Sequence, residues 1–265
     1  MSTPDPIYAD PRLAAVYDAL DPDRGDLDHY VAIIEELGAR RVLDVGCGTG
    51  SLASLLSARG LDVTGVDPAA ASLAIARTKP GADAVRWVDG DAPALARTRP
   101  GLGADLAVMT GNVAQVFVDD ETWDETLRAV HVLVRPRGHL VFETRIPQRR
   151  AWLAWNGPGA DAVVEGVGWV SDRYEVETVE ELAGGGVLVT FNSPTTFHDL
   201  GVVIDSRSTL RFRTHDELLD GLAEAGFDHV DTRDAPDRPG CEWVVIARRR
   251  PTADQPTTSA SFGST

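Results

Sequence analysis

Through the first 145 residues, short runs that are apolar throughout alternate with stretches in which apolar residues recur every three or four positions. The runs Arg41–Val45, Asp62–Val66, Ala84–Val88, Asp105–Thr110 and His139–Thr144 read as strands. Between them, Ser51–Arg59, Ala69–Thr78 and Thr122–Val134 read as helices, the last stopped at Arg135-Pro136-Arg137-Gly138. Strands that are apolar on both faces and separated by helices specify a parallel sheet covered on both sides. The fold class expected is therefore α/β, a doubly wound Rossmann-like sheet. Upstream, Leu13–Leu20 and Leu27–Leu37 carry amphipathic helix patterns.

After the fifth strand the period changes to two. Val167–Leu182, Val187–Phe197 and Val202–Arg213 alternate apolar and polar positions, with turns at Gly184-Gly185-Gly186 and Asp199-Leu200-Gly201. Such a pattern predicts an antiparallel meander. A helix over His215–Ala225 and strands near Phe227–Thr232 and Glu242–Ala247 then resume the α/β pattern, which makes the meander an insertion. The organisation expected is an N-terminal helical segment over 1–40, one domain over 41–250 with a β insertion at 163–213, and a tail over 251–265. That tail is rich in Thr, Ser, Pro and Gly without apolar period, and disorder is expected there.

Charge and composition narrow the function. The 265 residues carry 25 basic and 41 acidic side chains, a formal net charge of −16. A phosphate backbone and an anionic membrane surface are both repelled by that charge, so neither is expected as a partner. Lys79 is the single lysine, in a Thr-Lys-Pro-Gly turn, which argues against Schiff-base or P-loop chemistry. Two cysteines, Cys47 and Cys241, are too few for a disulfide framework or a thiolate zinc site. With no secretory pattern over Met1–Asp10 and no apolar run of spanning length, a cytoplasmic protein is expected, as a monomer or homodimer.

The chemistry concentrates after the first three strands. Asp44-Val45-Gly46-Cys47-Gly48-Thr49-Gly50 leads from the first strand into a helix. Glycines there let backbone approach a ligand, and the helix start presents free N–H groups. The spacing is Gly-x-Gly-x-Gly rather than the dinucleotide Gly-x-Gly-x-x-Gly, and the acid Asp44 suits a cationic group better than a pyrophosphate. Asp67, before Pro68, ends the second strand, and Asp91, before Ala92, follows the third. Each acid is placed either to hold a ribose or an exocyclic amine or simply to cap the next helix.

These residues together, Val42-Leu43-Asp44-Val45-Gly46-Cys47-Gly48-Thr49-Gly50 with Asp67-Pro68 and Gly90-Asp91-Ala92, closely resemble the motifs of class I S-adenosylmethionine-dependent methyltransferases. The resemblance is strong over 41–144 and weaker after Arg213. It implies a seven-stranded sheet with an antiparallel last strand and S-adenosylmethionine as cofactor. It further implies that Gly46, Cys47, Gly48 and Gly50 cradle the cofactor, that Asp44 lies near its amino group, that Asp67 holds the ribose, and that Asp91 with Ala92 reads the adenine. Gly111 and Asn112, after the fourth strand, are expected to border the methionine part, although Asn112 equally fits a helix cap. Tyr8 and Tyr17 resemble residues that close over the cofactor, or else staple the first helix.

The fourth strand lacks the Asn/Asp-Pro-Pro-Tyr/Phe motif of nucleic-acid amino methyltransferases and offers no carboxylate for a metal, so a small-molecule acceptor and no metal are expected. Methyl transfer to N or O is an in-line displacement that needs alignment and exclusion of water, with a base only for some acceptors. Candidate catalytic residues are Glu143 and Arg145 after the fifth strand and His198 at the meander tip; Glu143 alternatively only pairs with Arg145, and His198 alternatively only serves a turn. Trp152, Trp155 and Trp169 either wall an acceptor pocket or cement the insertion to the core. Other readings kept open are a nicotinamide-dependent oxidoreductase and a non-catalytic cofactor-binding partner.

Overall fold

A computed structural model describes residues 3–251; the expected disorder of the tail falls almost wholly outside them. The helices are α1 (Pro6–Ala9), α2 (Pro11–Leu20), α3 (Asp26–Glu36), α4 (Ser51–Ala58), α5 (Ala70–Ala76), α6 (Ala92–Thr98), α7 (Asp120–Leu133) and α8 (His215–Glu224). The first five strands are β1 (Arg41–Val45), β2 (Asp62–Asp67), β3 (Arg86–Asp89), β4 (Ala104–Met109) and β5 (Val134–Arg145). Six more form the insertion: β6 (Gly157–Val164), β7 (Gly168–Glu181), β8 (Val187–Asn192), β9 (Thr195–Phe197), β10 (Val202–Ile204) and β11 (Arg207–Phe212). The chain closes with β12 (Phe227–Asp234) and β13 (Glu242–Arg249).

The main sheet has seven strands in the order β12-β13-β5-β4-β1-β2-β3, with β13 antiparallel to both neighbours. Its central strands show why it is doubly wound. In β4, Ala107 and Met109 join one core with Trp123, Leu127 and Leu133 of α7. Leu106 and Val108, alternate residues of the same strand, join the opposite core with Ile33 and Ile34 of α3 and Leu56 of α4. Side chains alternate across a strand, so a run apolar at every position must be covered on both faces.

The inserted strands form a second sheet of six, ordered β10-β9-β7-β8-β11 with β6 paired to the start of β7. Its sequence was harder to parse. Val187–Phe197 and Val202–Arg213 each break into two strands, at Ser193-Pro194 and at Asp205-Ser206, and β6 begins at Gly157. Ser193 N and Ser206 O hydrogen-bond at 2.7 Å, so the two breaks pair and let the sheet bend as one. Leu13 and Val16 of α2 pack on Val170 and Phe197, fixing the N-terminal helices to this sheet. Arg213, 2% exposed, donates to the carbonyls of Phe117 at 2.8 Å and Asp119 at 3.2 Å and lies over the Trp123 ring. That guanidinium ties the end of the insertion to the loop after β4. Among the described residues no helix is long and apolar enough to cross a membrane.

Candidate active site

A cavity of about 1060 Å³ opens at the carboxyl ends of the parallel strands, where an open α/β sheet leaves room for a ligand. The N-terminal helices, the insertion and the β12–β13 loop complete its wall. The N-terminal cover is latched by polar contacts. Thr49 donates to Asp18 at 2.6 Å, Lys79 pairs with Asp18 at 2.7 Å and donates to Ser51 at 2.7 Å, and Ser72 donates to the Tyr8 carbonyl at 3.0 Å. The single lysine is thus spent on a structural contact.

The glycine loop forms because three of its residues take left-handed backbone: Gly46 at φ 71°, Gly48 at φ 50° and Gly50 at φ 77°. Gly46, Cys47 and Gly48 line the cavity. Gly50 is not among the described lining residues. A Cβ there would stand 2.5 Å from the Trp87 ring and 2.8 Å from Ala76, so this glycine serves close packing of the loop on β3 and α5.

Asp67 uses both carboxylate oxygens locally, accepting from Gly48 N at 2.8 Å and Ala69 N at 2.7 Å. It thereby shapes the glycine loop as well as lining the cavity with Pro68. A carboxylate has about four acceptor sites, which leaves two for ligand hydroxyls. Asp91 caps α6 through Ala94 N at 2.7 Å and lines the cavity beside Ala92, so the two roles weighed for it coexist.

Asp44 is the unusual group. It is 1% exposed, its Oδ1 has no partner, and burial followed by the nearby Asp67 charge pushes its pKa up to about 7. An orphaned buried carboxylate in a cavity wall calls for a cationic donor, and the amino group of S-adenosylmethionine is one. The residues present therefore fit the cofactor that the resemblance implies. The sign of the pH effect follows. Between pH 4 and 7 the unfolded carboxyl is ionised while the buried one keeps its proton, so the ligand-free chain loses stability as pH rises through that window. Ammonium binding needs the ionised form, so affinity for S-adenosylmethionine should be roughly fifteenfold tighter at pH 7 than at pH 5.5. Titration calorimetry at the two pH values checks this, and Asp44→Asn should flatten the profile.

The same cavity wall holds a buried polar cluster that the sequence disclosed only in part. Glu143, 5% exposed, accepts from the Tyr30 hydroxyl and from Asn112 N at 3.0 Å, and burial raises its pKa. Asn112 holds φ 61° and makes no side-chain cap; its Nδ2 reaches Glu242 at 3.4 Å and its Oδ1 has no partner. Arg145 donates to Gln115 at 3.0 Å, pairs with Glu242 at 3.4 Å, and stacks over Trp155 at 5.2 Å. Glu143, Arg145, Gly111, Asn112 and Tyr17 all line the cavity. Tyr30→Phe should cost about 1–2 kcal/mol and raise the Glu143 pKa further, since the lost hydroxyl favours the ionised carboxylate. Thermal denaturation across pH 5–8 measures both.

For His198 and the three tryptophans two roles were weighed, and the structure places none of these side chains in the described cavity wall. His198 is exposed on the outer face of the inserted sheet, its ring stacked on Trp169 at 3.7 Å and its Nε2 2.8 Å from Ser171 Oγ. It is absent from the described cavity wall. The tryptophans are likewise not lining residues: Trp152 packs edge-on to Phe212 at 4.8 Å and Trp155 to Phe191 at 5.2 Å, while Trp169 faces outward. Trp152 and Trp155 cement the segment after β5 to the inserted sheet.

Tyr30 and Glu242 were missed. Tyr30 falls on the apolar face of α3 and reads as core; only its position beneath β5 turns the hydroxyl toward the site. Glu242 had a usable signal. In an antiparallel last strand the first residue lies beside the carboxyl ends of its parallel neighbours, and Glu242 indeed pairs with Arg145 in register.

Comparison with known proteins agrees with this geometry. Residues 42–138 match a family described as a methyltransferase domain. A ubiquinone biosynthesis O-methyltransferase of Pectobacterium carotovorum subsp. carotovorum is 36% identical over 121 residues, 45% of this chain and 48% of that protein. One from Pseudomonas aeruginosa strain UCBPP-PA14 is 34% identical over 119 residues, 44% and 49% of the two chains. The chain thus spans about half the length of the curated relatives it matches. Among solved structures, an S-adenosylmethionine-dependent methyltransferase from Clostridium acetobutylicum superposes with TM-score 0.70 at 16% identity, over 90% of this chain and 98% of that one. The sugar N-methyltransferase KedS8 from Streptoalloteichus sp. gives TM-score 0.70 at 22% identity, over 89% and 93%.

Proposed function

We propose that this chain, whose residues 42–138 match a methyltransferase domain and whose fold is that of an S-adenosylmethionine-dependent methyltransferase, is a class I enzyme of that kind and transfers a methyl group to N or O of a small-molecule acceptor. The observation that carries the cofactor half is the orphaned Asp44 carboxylate beside a left-handed glycine loop and Asp67. S-adenosylmethionine, when bound, supplies an electrophilic methyl on a sulfonium. The rest is done by the protein.

Asp44 would hold the amino end of the cofactor, Asp67 would accept from the ribose, and Asp91 with Ala92 would border the base. Glu143, anchored by Tyr30, sets the backbone of Gly111 and Asn112 and so the floor against which acceptor and cofactor meet. In-line displacement needs the nucleophile held at near-contact distance and water kept out. The N-terminal cover with Tyr8 and Tyr17, latched through Asp18, Thr49 and Lys79, excludes water from above. Glu143 and Arg145 act in this reading by position and charge at the cavity floor.

Calorimetric titration with S-adenosylmethionine, S-adenosylhomocysteine and NAD tests the proposal. One-site binding of the first two and none of NAD is expected. Binding of NAD alone would overturn it and recast Asp67 as a dinucleotide ribose ligand.

A further inference from the structure

The charge of the cavity wall is lopsided in a way the cofactor does not explain. Among the described lining residues there are thirteen carboxylates and four arginines. Every one of those arginines is already engaged by a carboxylate of the protein: Arg24 by Asp26 at 3.2 Å, Arg145 by Glu242 at 3.4 Å, Arg207 by Glu177 at 2.6 Å, and Arg238 by Glu242 at 2.7 Å. No lining arginine is therefore without a carboxylate partner, and an acidic or phosphorylated substrate would have to compete with these pairs. Setting aside Asp44, Asp67 and Asp91 for the cofactor still leaves a large excess of acid.

Part of that excess stands on two elements that pack together in the cavity wall, α2 and β7. Asp172 and Tyr174 line the cavity from β7 of the insertion, and α2, which carries Tyr17 and is capped by Asp21, packs on the same strand through Leu13, Val16 and Val170. Asp172 accepts from Ala160 N at 2.6 Å, and Asp23 from Gly25 N at 3.0 Å. Neither these two nor Asp21 has an ion-pair partner among the described residues. Deeper in the wall, Asn112 Oδ1 is a buried acceptor with no donor, on a side chain that is 4% exposed. A wall of carboxylates without cationic partners, one donorless amide oxygen and two tyrosines selects a ligand rich in N–H donors and positive charge.

We propose that the methyl acceptor is an amine-bearing small molecule that binds as its ammonium ion, seated between Asp172–Tyr174 of the insertion and Asp21–Tyr17 of the N-terminal segment, and that it is methylated either at a neighbouring hydroxyl or at the amine once its proton has passed to solvent, with S-adenosylhomocysteine as the leaving group. The inference rests on the methyltransferase reading and deepens it. It sets this chain apart from an enzyme for a neutral phenol or an acid, for which unpaired carboxylates in a low-dielectric cleft are a penalty.

The test uses the full chain saturated with S-adenosylhomocysteine, saturation being verified first by calorimetry. If that nucleoside does not bind, the methyltransferase reading fails and this proposal falls with it. Given saturation, the complex is titrated with a matched set of probes: trans-2-aminocyclohexanol, trans-1,2-cyclohexanediol and cyclohexanecarboxylate. The amine should bind at least tenfold tighter than the diol, and the carboxylate more weakly than either. Raising salt to about 0.5 M should shrink the difference, as should Asp172→Asn. Asp21→Asn, at an exposed position, gives the same readout without disturbing the insertion. Equal affinity for amine and diol, preference for the carboxylate, or binding of none of the three would overturn the proposal, as would a preference for the amine that neither substitution reduces.

Discussion

Gly50→Ala should lower the stability of the chain by about 3 kcal/mol, the sum of a left-handed backbone penalty of ~1 kcal/mol and an overpacking cost of ~2 kcal/mol. Gly50 holds φ 77°, and an added Cβ would stand 2.5 Å from the Trp87 ring and 2.8 Å from the Ala76 Cβ. Neither neighbour is the free end of a flexible side chain. Trp87 is held by its own hydrogen bond to the Ala82 carbonyl at 3.0 Å, and Ala76 is fully buried. For a domain of this size the loss corresponds to a fall in Tm on the order of 10 °C. Gly48→Ala is the control. It also has positive φ, yet its Cβ would meet nothing within 4 Å, so only the backbone penalty of about 1 kcal/mol should appear. Equal Tm values for the two variants would show that packing against Trp87 does not constrain the loop.

Asp67→Ala should weaken S-adenosylmethionine and S-adenosylhomocysteine binding by roughly 1–3 kcal/mol, about five- to 150-fold in Kd. The effect has two sources in the structure. The carboxylate is the acceptor for Gly48 N and Ala69 N, so its removal unties the glycine loop, and the acceptor sites it keeps for ribose are lost together with it. Asp67→Asn separates them: an amide oxygen can still accept one backbone N–H, so a smaller loss of affinity is expected than for alanine. Calorimetry on variants whose far-ultraviolet dichroism matches the parent decides the matter. Undiminished affinity in a folded alanine variant would remove Asp67 from the cofactor site.

The main sheet was legible because its signals are local. Unbroken apolar strands, helix stops such as Arg135-Pro136-Arg137-Gly138, and an acid or glycine after each early strand need no knowledge of distant partners. The glycine loop, Asp44, Asp67, Asp91, Gly111 and Asn112 were all placed on the correct strand ends, since the carboxyl edge of a parallel sheet is where its loops must gather. The inserted sheet was harder. Its short strands break at Pro194 and Asp205, and exposed strands such as β6 carry weak alternation that periodicity does not separate from a loop.

What the sequence by itself determined, then, was the doubly wound fold, the position of the cofactor loop and the acids that follow the early strands. Chain-local chemistry controls each of these: glycine tolerates positive φ, aspartate caps a helix or accepts a ligand, and apolar alternation assigns faces. Only the tertiary structure decided which side chains share the cavity. It brought Tyr30 of α3 onto Glu143 across 113 positions and Glu242 toward Asn112 across 130. It turned His198 and Trp169 outward, and it gathered acids from the N-terminus, the insertion and the last loop around one space. Burial and long-range pairing are properties of that assembled space, so the raised pKa of Asp44, the pairing of Arg145 with Glu242 and of Arg207 with Glu177, and the orphaned Asn112 oxygen arise only when distant segments meet.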